Sequence, residues 1–113
     1  MRYGLTVSPE FGLSLDVRVE LLPPGAGGRS TPIASGYRPL CLIGSPGTDE
    51  QVFGLCELVL AEPLAPGNSG DGHLSFDTAI SDDVRPLLRV GSRFDLAEGL
   101  RRVGSVQVKG IRP

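Results

Sequence analysis

Residues Gly27–Pro39 read GGRSTPIASGYRP, and this stretch decides how the rest of the chain is interpreted. Two glycines release the backbone before Arg29, and Thr31-Pro32 requires an extended exit because the residue before a proline avoids the helical region. The stretch ends in Gly36-Tyr37-Arg38-Pro39 and leads directly into the apolar run Leu40-Cys41-Leu42-Ile43. The pattern predicts a loop of defined shape that enters a short buried strand.

Strand patterns lie on both sides of this loop. Before it, apolar residues at every second position from Leu13 to Leu21 alternate with polar ones, which is typical of a strand with one buried and one solvated face. Pro23-Pro24-Gly25 then ends the run, since proline cannot donate a backbone hydrogen bond into a sheet. Further strands are predicted at Leu40–Ile43, Val52–Leu60, Leu74–Ile80, around Phe94 and Leu96, and in the last run around Val106 and Val108.

The stretch Val84–Val90 has two interpretations. A fifth strand is favoured, although Pro86 demotes it to an edge or makes it irregular. The competitor is a helix over Ser81–Arg89 with Ser81 as its N-cap, and Pro86 beyond the first turn speaks against it. Glu62–Gly72, rich in Gly and Pro, is predicted to be a loop.

Length and composition set the class of the protein. At 113 residues with 40% apolar content, the chain suits one domain, which we expect over residues 13–113 after an extension or linker at 1–12. Several short strands separated by turn signals favour a sandwich or barrel over alternating strands and helices. No run approaches the ~20 apolar residues of a membrane helix, and no secretion signal opens the chain, so we expect a cytoplasmic protein without membrane contact.

Charge is distributed unevenly along the chain. Residues 1–83 carry four Arg against eleven Asp and Glu, a balance of −7, whereas residues 84–113 carry six Arg and Lys109 against Asp95 and Glu98, a balance of +5. Two interpretations remain open. The last strands present a basic stripe to an anionic partner, or the charges decorate outer strand faces and are mixed in space.

Candidate catalytic and metal-binding groups are few. Cys41 and Cys56 lie inside apolar runs and are expected to be buried thiols, and no Cys or His pair completes a metal site. Ser69, Asp71 and His73 lie too close together in a Gly-rich segment to form a catalytic triad, so His73 is expected to be a mobile loop residue. We therefore predict no enzyme, no catalytic residue, no metal and no cofactor.

The sequence resembles a known family along nearly its whole length. The Gly27–Pro39 stretch, the turn Pro66-Gly67 and the closing run GSRFDLAEGLRRVG at Gly91–Gly104 are similar to the C-terminal (third) β-barrel domain of elongation factor Tu and related translation elongation factor GTPases. The resemblance implies an all-β fold: a closed six-stranded antiparallel β-barrel of the Greek-key type. It also implies a stand-alone domain without the GTPase, since the phosphate-binding loop is absent and no nucleotide is expected on this chain.

The resemblance also implies a surface for structured RNA. By position, Arg29 and Ser30 match an Arg-His pair that lies beside the tRNA backbone in the family, and Glu98 and Gly99 match a Glu-Gly at the same surface. Arg101 is assigned to this surface as well. A guanidinium offers a planar fork to phosphate, and a carboxylate accepts from a ribose hydroxyl, so the expected partner is a tRNA stem recognised without base specificity.

Several positions depart from the family pattern. Ser30 stands where the family has His, Leu40 where it has Gln, Leu100 where it has a second Gly, and Ile33-Ala34 where it has two aromatics. These changes support the alternative function, a protein–protein interaction or oligomerisation barrel that no longer binds tRNA. Its expected partner is a translation factor or a second copy of this chain, and its expected contact residues are Ile33, Ala34 and Leu40.

Overall fold

A computed structural model of the chain describes residues 11–44, 51–99 and 101–112. The strands are β1 (Phe11–Leu21), β2 (Leu40–Gly44), β3 (Gln51–Leu60), β4 (Ser69–Asp77), β5 (Arg93–Glu98) and β6 (Arg101–Arg112). One short helix, α1 (Thr78–Val84), and two 3-10 turns, Pro24–Ala26 and Arg85–Leu87, complete the regular structure of these residues.

All six strands belong to one curled antiparallel sheet. Each strand pairs with two others in the order β1, β4, β3, β2, β5, β6, and β6 pairs in turn with β1. The antiparallel pairing between β2 and β5 is the shortest in the sheet, with three residue pairs from Leu40–Ala97 to Leu42–Asp95. The predicted all-β fold with six antiparallel strands is confirmed.

The apolar core fills the concave side of this sheet. From Leu13 to Leu21 of β1 the residues at odd positions are buried and those at even positions lie on the outer face, as the alternation predicts. Phe76 of β4 and Phe94 of β5 meet inside with ring centroids 6.5 Å apart. The largest fully buried side chains are Phe76, Leu13, Leu15, Ile33, Leu58, Leu74 and Leu96.

The predicted fifth strand at Val84–Val90 is wrong, and the helical alternative comes closer. Helix α1 begins at Thr78, and a 3-10 turn follows it. Ser81 lies within the helix, where its hydroxyl donates to the Asp77 carbonyl at 2.8 Å, so it is not an N-cap. Val84 and Leu88 are buried in the core, and α1 packs against β1 and β4. Helical turns thus place apolar residues four positions apart on the same core.

The predicted loop Glu62–Gly72 includes four residues, Ser69–Gly72, that belong to strand β4 in the structure. Strand β4 already begins at Ser69, and Ser69–Gly72 pair with Glu20–Val17 of β1. A Cβ on Gly72 would lie 2.8 Å from the Val59 carbonyl oxygen, so glycine is needed where the two strands approach closely. A glycine-rich stretch therefore functions here as a strand.

Two other predictions fall partly outside the described residues. Residues 1–10 of the expected extension lie there, whereas Phe11 and Gly12 belong to β1. The turn expected after β2, Ser45-Pro46-Gly47, and the departure at Leu100 also lie outside the described residues.

Candidate functional site

The Gly27–Pro39 loop folds back against the end of β1. Gly27 has a φ of +91°, and the Gly28 amide donates to the Pro23 carbonyl at 3.1 Å. A Cβ on Gly28 would lie 2.2 Å from the Leu22 carbonyl oxygen, which is closer than any side chain permits. The two glycines therefore serve different needs: one reverses the chain, and the other lets backbone pack on backbone.

Two backbone bridges then tie the loop to the sheet. Ile33 and Leu64 exchange a pair of hydrogen bonds, each at 2.9 Å, and Ile33 is buried in the core. Further along, the Leu58 amide donates to the Tyr37 carbonyl at 2.8 Å. The loop is consequently an ordered part of the fold, and it presents Arg29 and Tyr37 at a fixed place.

Arg29 is held by contacts within the protein. Its guanidinium forms an ion pair with Glu98 of β5, Nε donates to the Thr31 carbonyl at 3.2 Å, and Nη2 donates to the Thr31 hydroxyl at 3.0 Å. The guanidinium carbon also lies 5.1 Å from the centre of the Tyr37 ring, a cation–π distance. Only 22% of the Arg29 side chain is exposed.

Glu98 receives three donors. The Tyr37 hydroxyl and Arg29 both donate to Oε2, and Arg101 approaches Oε1 at 3.3 Å. Burial acts to raise the pKa of Glu98, but these donors outweigh it and lower the pKa. Burial and the adjacent carboxylate raise the pKa of Tyr37, which keeps its proton available to donate. Arg29, Tyr37, Glu98 and Arg101 form what we call the Arg29 cluster.

The structure thus brings together the residues assigned to an RNA surface. Arg29, Glu98 and Arg101 are in direct contact, and Ser30 and Gly99 are exposed beside them in the chain. Tyr37, which the sequence assigns to loop geometry, is an additional member of the site. Its place in the retained Gly36–Pro39 run was the signal for it.

The three residues assigned to a protein partner differ in how accessible their side chains are. Ala34 is exposed and Leu40 is half-buried in β2. Ile33 is 1% exposed, so its side chain serves the core and is not accessible to a partner.

The charges of the last strands are mostly neutralised in space. Glu20 and Asp16 of β1 reach across to two of these arginines, so the two halves of the chain mix their charges on the outer face. Among the described residues, Arg89 and Lys109 form no ion pair. The paired arginines are Arg93 with Glu20 at 2.9 Å, Arg102 with Asp95 at 3.0 Å, Arg112 with Asp16 at 3.0 Å and Arg101 with Glu98 at 3.3 Å.

His73 is a strand residue, and its expected place in a loop is wrong. It lies in β4 with Nδ1 2.6 Å from Asp16 Oδ1. Ser69 and Asp71 both contact Arg18, at 3.0 and 3.2 Å, and no contact joins them to His73. The geometry of a nucleophile and its base is therefore not formed by these three residues in the structure.

Cys41 and Cys56 are buried free thiols on neighbouring strands, as predicted. Burial and the adjacent Cys56 raise the pKa of the Cys41 thiol, and the Cys56 thiol donates to the Pro39 carbonyl at 3.5 Å. Within 11–44, 51–99 and 101–112, no group of three or more His, Cys, Asp or Glu is placed to hold a metal ion. None of the helices in these ranges has the length and apolar character to cross a membrane.

No protein-family model matches the sequence, and the curated proteins contain no match to it. The resemblance to the elongation factor Tu domain therefore rests on the residues quoted above.

Proposed function

We propose that this chain is a non-enzymatic binding module similar to the C-terminal domain of elongation factor Tu, and that the Arg29 cluster forms its surface for structured RNA, a tRNA stem above all. The observation that carries the proposal is the contact between Arg29 and Glu98, which lie 69 positions apart. The resemblance assigns these two residues to a single RNA-facing surface, and their direct contact supports that assignment.

We also propose that the curled sheet is a closed barrel of the elongation factor Tu type. The pairing of β6 with β1 over eight residue pairs, from Ser14–Arg112 to Leu21–Gly104, supports closure. Antiparallel closure removes exposed strand edges, which otherwise pair with strands of other chains.

Within the cluster, the residues have different tasks. Arg29 directs its donors toward Glu98 and Thr31, so it shapes the surface more than it contacts a ligand. Arg101 is 57% exposed and provides the accessible guanidinium for a phosphate. Exposed Ser30 follows Arg29 in the chain and Gly99 (φ +62°) follows Glu98, and a hydroxyl and an accessible backbone suit contacts to phosphate and ribose and not to bases.

The test is a titration of fluorescently labelled tRNA by anisotropy, with the variants Arg101→Glu and Arg89→Glu. Arg89 is exposed and unpaired among the described residues but lies outside the cluster, so the two variants change net charge equally. Arg29 is not a suitable test residue, because its substitution disturbs the loop.

The single phosphate contact assigned to Arg101 predicts that the affinity of the unmodified chain falls about threefold when salt rises from about 50 mM to about 200 mM. Arg101→Glu should abolish most binding, and Arg89→Glu should retain it. Equal losses in the two variants would refute the assignment of the surface.

A protein-binding role is the second candidate, and the neutralised arginines favour it. Nucleic-acid-binding domains usually carry a basic patch, whereas this chain has a net charge of −2 and pairs four of its last six arginines with carboxylates. Exposed Ala34 is the contact to test. Light scattering that shows a dimer, converted to a monomer by Ala34→Arg but not by Ala61→Arg, would support this role; a monomer in every case would contradict self-association.

A further inference from the structure

A groove of about 650 Å³ lies on the outer face of the sheet, across β3, β4, β1 and β6. Sheet register places its central residues in one row: Gly110 of β6 opposite Asp16 of β1, Asp16 opposite His73 of β4, and His73 opposite Val59 of β3. The volume is in the range of small-molecule sites. We call it the His73 groove.

Asp16 organises the cationic side of this groove. Its Oδ1 lies 2.6 Å from His73 Nδ1 and 3.0 Å from Arg112 Nη2. The Oδ1 atom is buried and neither contact has hydrogen-bond angles, so the attraction between the Asp16 carboxylate and the Arg112 guanidinium holds this pair together, with the His73 ring in contact. A Cβ on Gly110 would lie 3.2 Å from Asp16 Oδ2, so the glycine leaves room for the carboxylate. Asp16 is thus a positioning residue for His73 and Arg112.

A β-bulge adds a second cation. The register between β1 and β6 shifts between Asp16 and Val17, which leaves Lys109 as the extra residue of β6. Bulges re-aim side chains and often adjoin functional sites. Lys109 is exposed at the groove and has no ion pair among the described residues.

The acidic groups of the groove do not cancel this charge. Asp16 already balances Arg112, and Asp71 is paired at 3.2 Å with Arg18, which is not part of the lining. Lys109 therefore remains as an uncompensated positive charge in the groove. A ligand that enters the groove meets this surplus charge.

The opposite wall is apolar. Val59 is 44% exposed and is one of two large hydrophobic side chains that stand exposed in the described part of the chain, the other being Val90. Exposed Ala61 continues this wall. A groove with an apolar wall on one side and positive charge on the other suits a ligand that has an apolar body and a negatively charged group.

We propose that the His73 groove binds a small organic acid, with its carboxylate received by Lys109, Arg112 and His73 and its apolar body resting on Val59 and Ala61. This site lies on the sheet face and is built from none of the residues of the Arg29 cluster. It is independent of the proposed RNA surface. An inorganic anion lacks the apolar body, and a neutral apolar molecule leaves Lys109 without a counter-charge, so both are expected to bind worse.

The probe is 2-naphthoate, titrated into the ¹⁵N-labelled full chain and followed by amide chemical shifts. Saturable shifts are expected in Gly72-His73 and Lys109-Gly110, with small shifts in Glu98-Gly99. The uncharged analogue 2-naphthalenemethanol and inorganic phosphate should each bind at least about fivefold more weakly, the scale of one partly exposed charge contact.

Two pairs of variants separate a specific site from general attraction. Lys109→Gln should weaken 2-naphthoate binding about fivefold, while Arg89→Gln, which removes an equally exposed charge elsewhere, should not. Val59→Thr should weaken it, while Val90→Thr should not. All four positions are on the surface, so folding is expected to persist, and the amide spectrum of each variant checks it.

Three results would overturn the proposal: no saturation up to about 10 mM probe, where even a millimolar site is filled; equal binding of the alcohol and the acid; or equal effects of Lys109→Gln and Arg89→Gln.

Discussion

Replacing Glu98 by alanine is expected to destabilise the fold far more than replacing any other ion-paired glutamate on the outer face. Glu98 accepts from Arg29, Tyr37 and Arg101, and its side chain is 29% exposed. Glu20, which pairs with Arg93 at 2.9 Å, is 58% exposed and serves as the matched control. Both substitutions remove one carboxylate from the β1–β6–β5 side of the sheet.

The expected losses of stability depend on how far water is excluded from each carboxylate and its partners. A hydrogen bond to a charged group contributes about 1.5–3 kcal/mol, and Arg29, only 22% exposed, would lose its counter-ion in the Glu98→Ala variant. Arg101 adds little because it is 57% exposed. The expected loss is therefore about 2–3 kcal/mol, or about 8–12 °C in Tm for a domain of this size. An exposed pair such as Glu20–Arg93 predicts a loss of about 0–1 kcal/mol.

The assay is urea denaturation followed by far-ultraviolet circular dichroism, with thermal melts in parallel. A third protein carries Arg29→Met, Tyr37→Phe and Glu98→Leu together. It should be more stable than Glu98→Ala even though Arg29 no longer holds Thr31, because replacing the three partners together leaves no half-buried charge without its counter-ion. Equal losses for Glu98→Ala and Glu20→Ala would refute the argument. So would a triple variant less stable than Glu98→Ala, since the network would then contribute more than its local contacts explain.

Three further outcomes are expected. Gly28→Ala should cost about 3 kcal/mol or more, because its Cβ would press against the Leu22 carbonyl, whereas Gly25→Ala, with open space around the Cβ, should be neutral or slightly stabilising by urea titration. Phe76→Ala should cost about 3–5 kcal/mol, since the side chain is fully buried, and a loss below 1 kcal/mol would contradict its place in the core. The pKa of Glu98 is lowered in the folded chain, so its contribution to stability is present above about pH 4.3 and lost as pH falls through the folded pKa. The difference in unfolding free energy between the unmodified chain and Glu98→Gln should accordingly shrink in acid, and a constant difference down to pH 3 would argue against the cluster.

The alternation of apolar and polar side chains predicted the strands that show it, such as β1. It missed the glycine-rich start of β4 and the helical segment before β5, which do not show it. The pattern in Leu13–Leu21 identifies β1 because each buried residue carries its own signal. Ser69–Gly72 has almost no alternation of apolar and polar side chains. Its glycines form backbone hydrogen bonds and let neighbouring strands pack closely, but they carry no apolar side chain that would reveal a strand. Val84–Val90 was predicted as a strand although it contains the end of α1 and a 3-10 turn. Its apolar residues are spaced for a helical turn, but two of them are β-branched valines, which favour strands.

Three of the four members of the Arg29 cluster were predictable from the sequence, Tyr37 being the exception, and the bonding among them was not. The meeting of Arg29 with Glu98 follows from the resemblance, which spans both ends of the chain. That Arg29 turns inward to Thr31 depends on the conformation of the loop, which no local pattern specifies. The contact between His73 and Asp16 depends on strand register, and one sequence without its structure leaves that register open.

The bonding inside the Arg29 cluster bears directly on how the chain departs from the family it resembles. The residues that maintain the loop, Arg29, Tyr37 and Glu98, are the ones retained, and each is needed by the other two. Among the positions that differ from the family pattern, Ser30 is exposed and Leu40 is half-buried in β2. Stability alone is sufficient to keep the cluster, so its presence does not by itself demand RNA binding. The informative residue is Arg101, which is exposed and adds little to stability, so its effect on tRNA affinity measures binding without a contribution from folding.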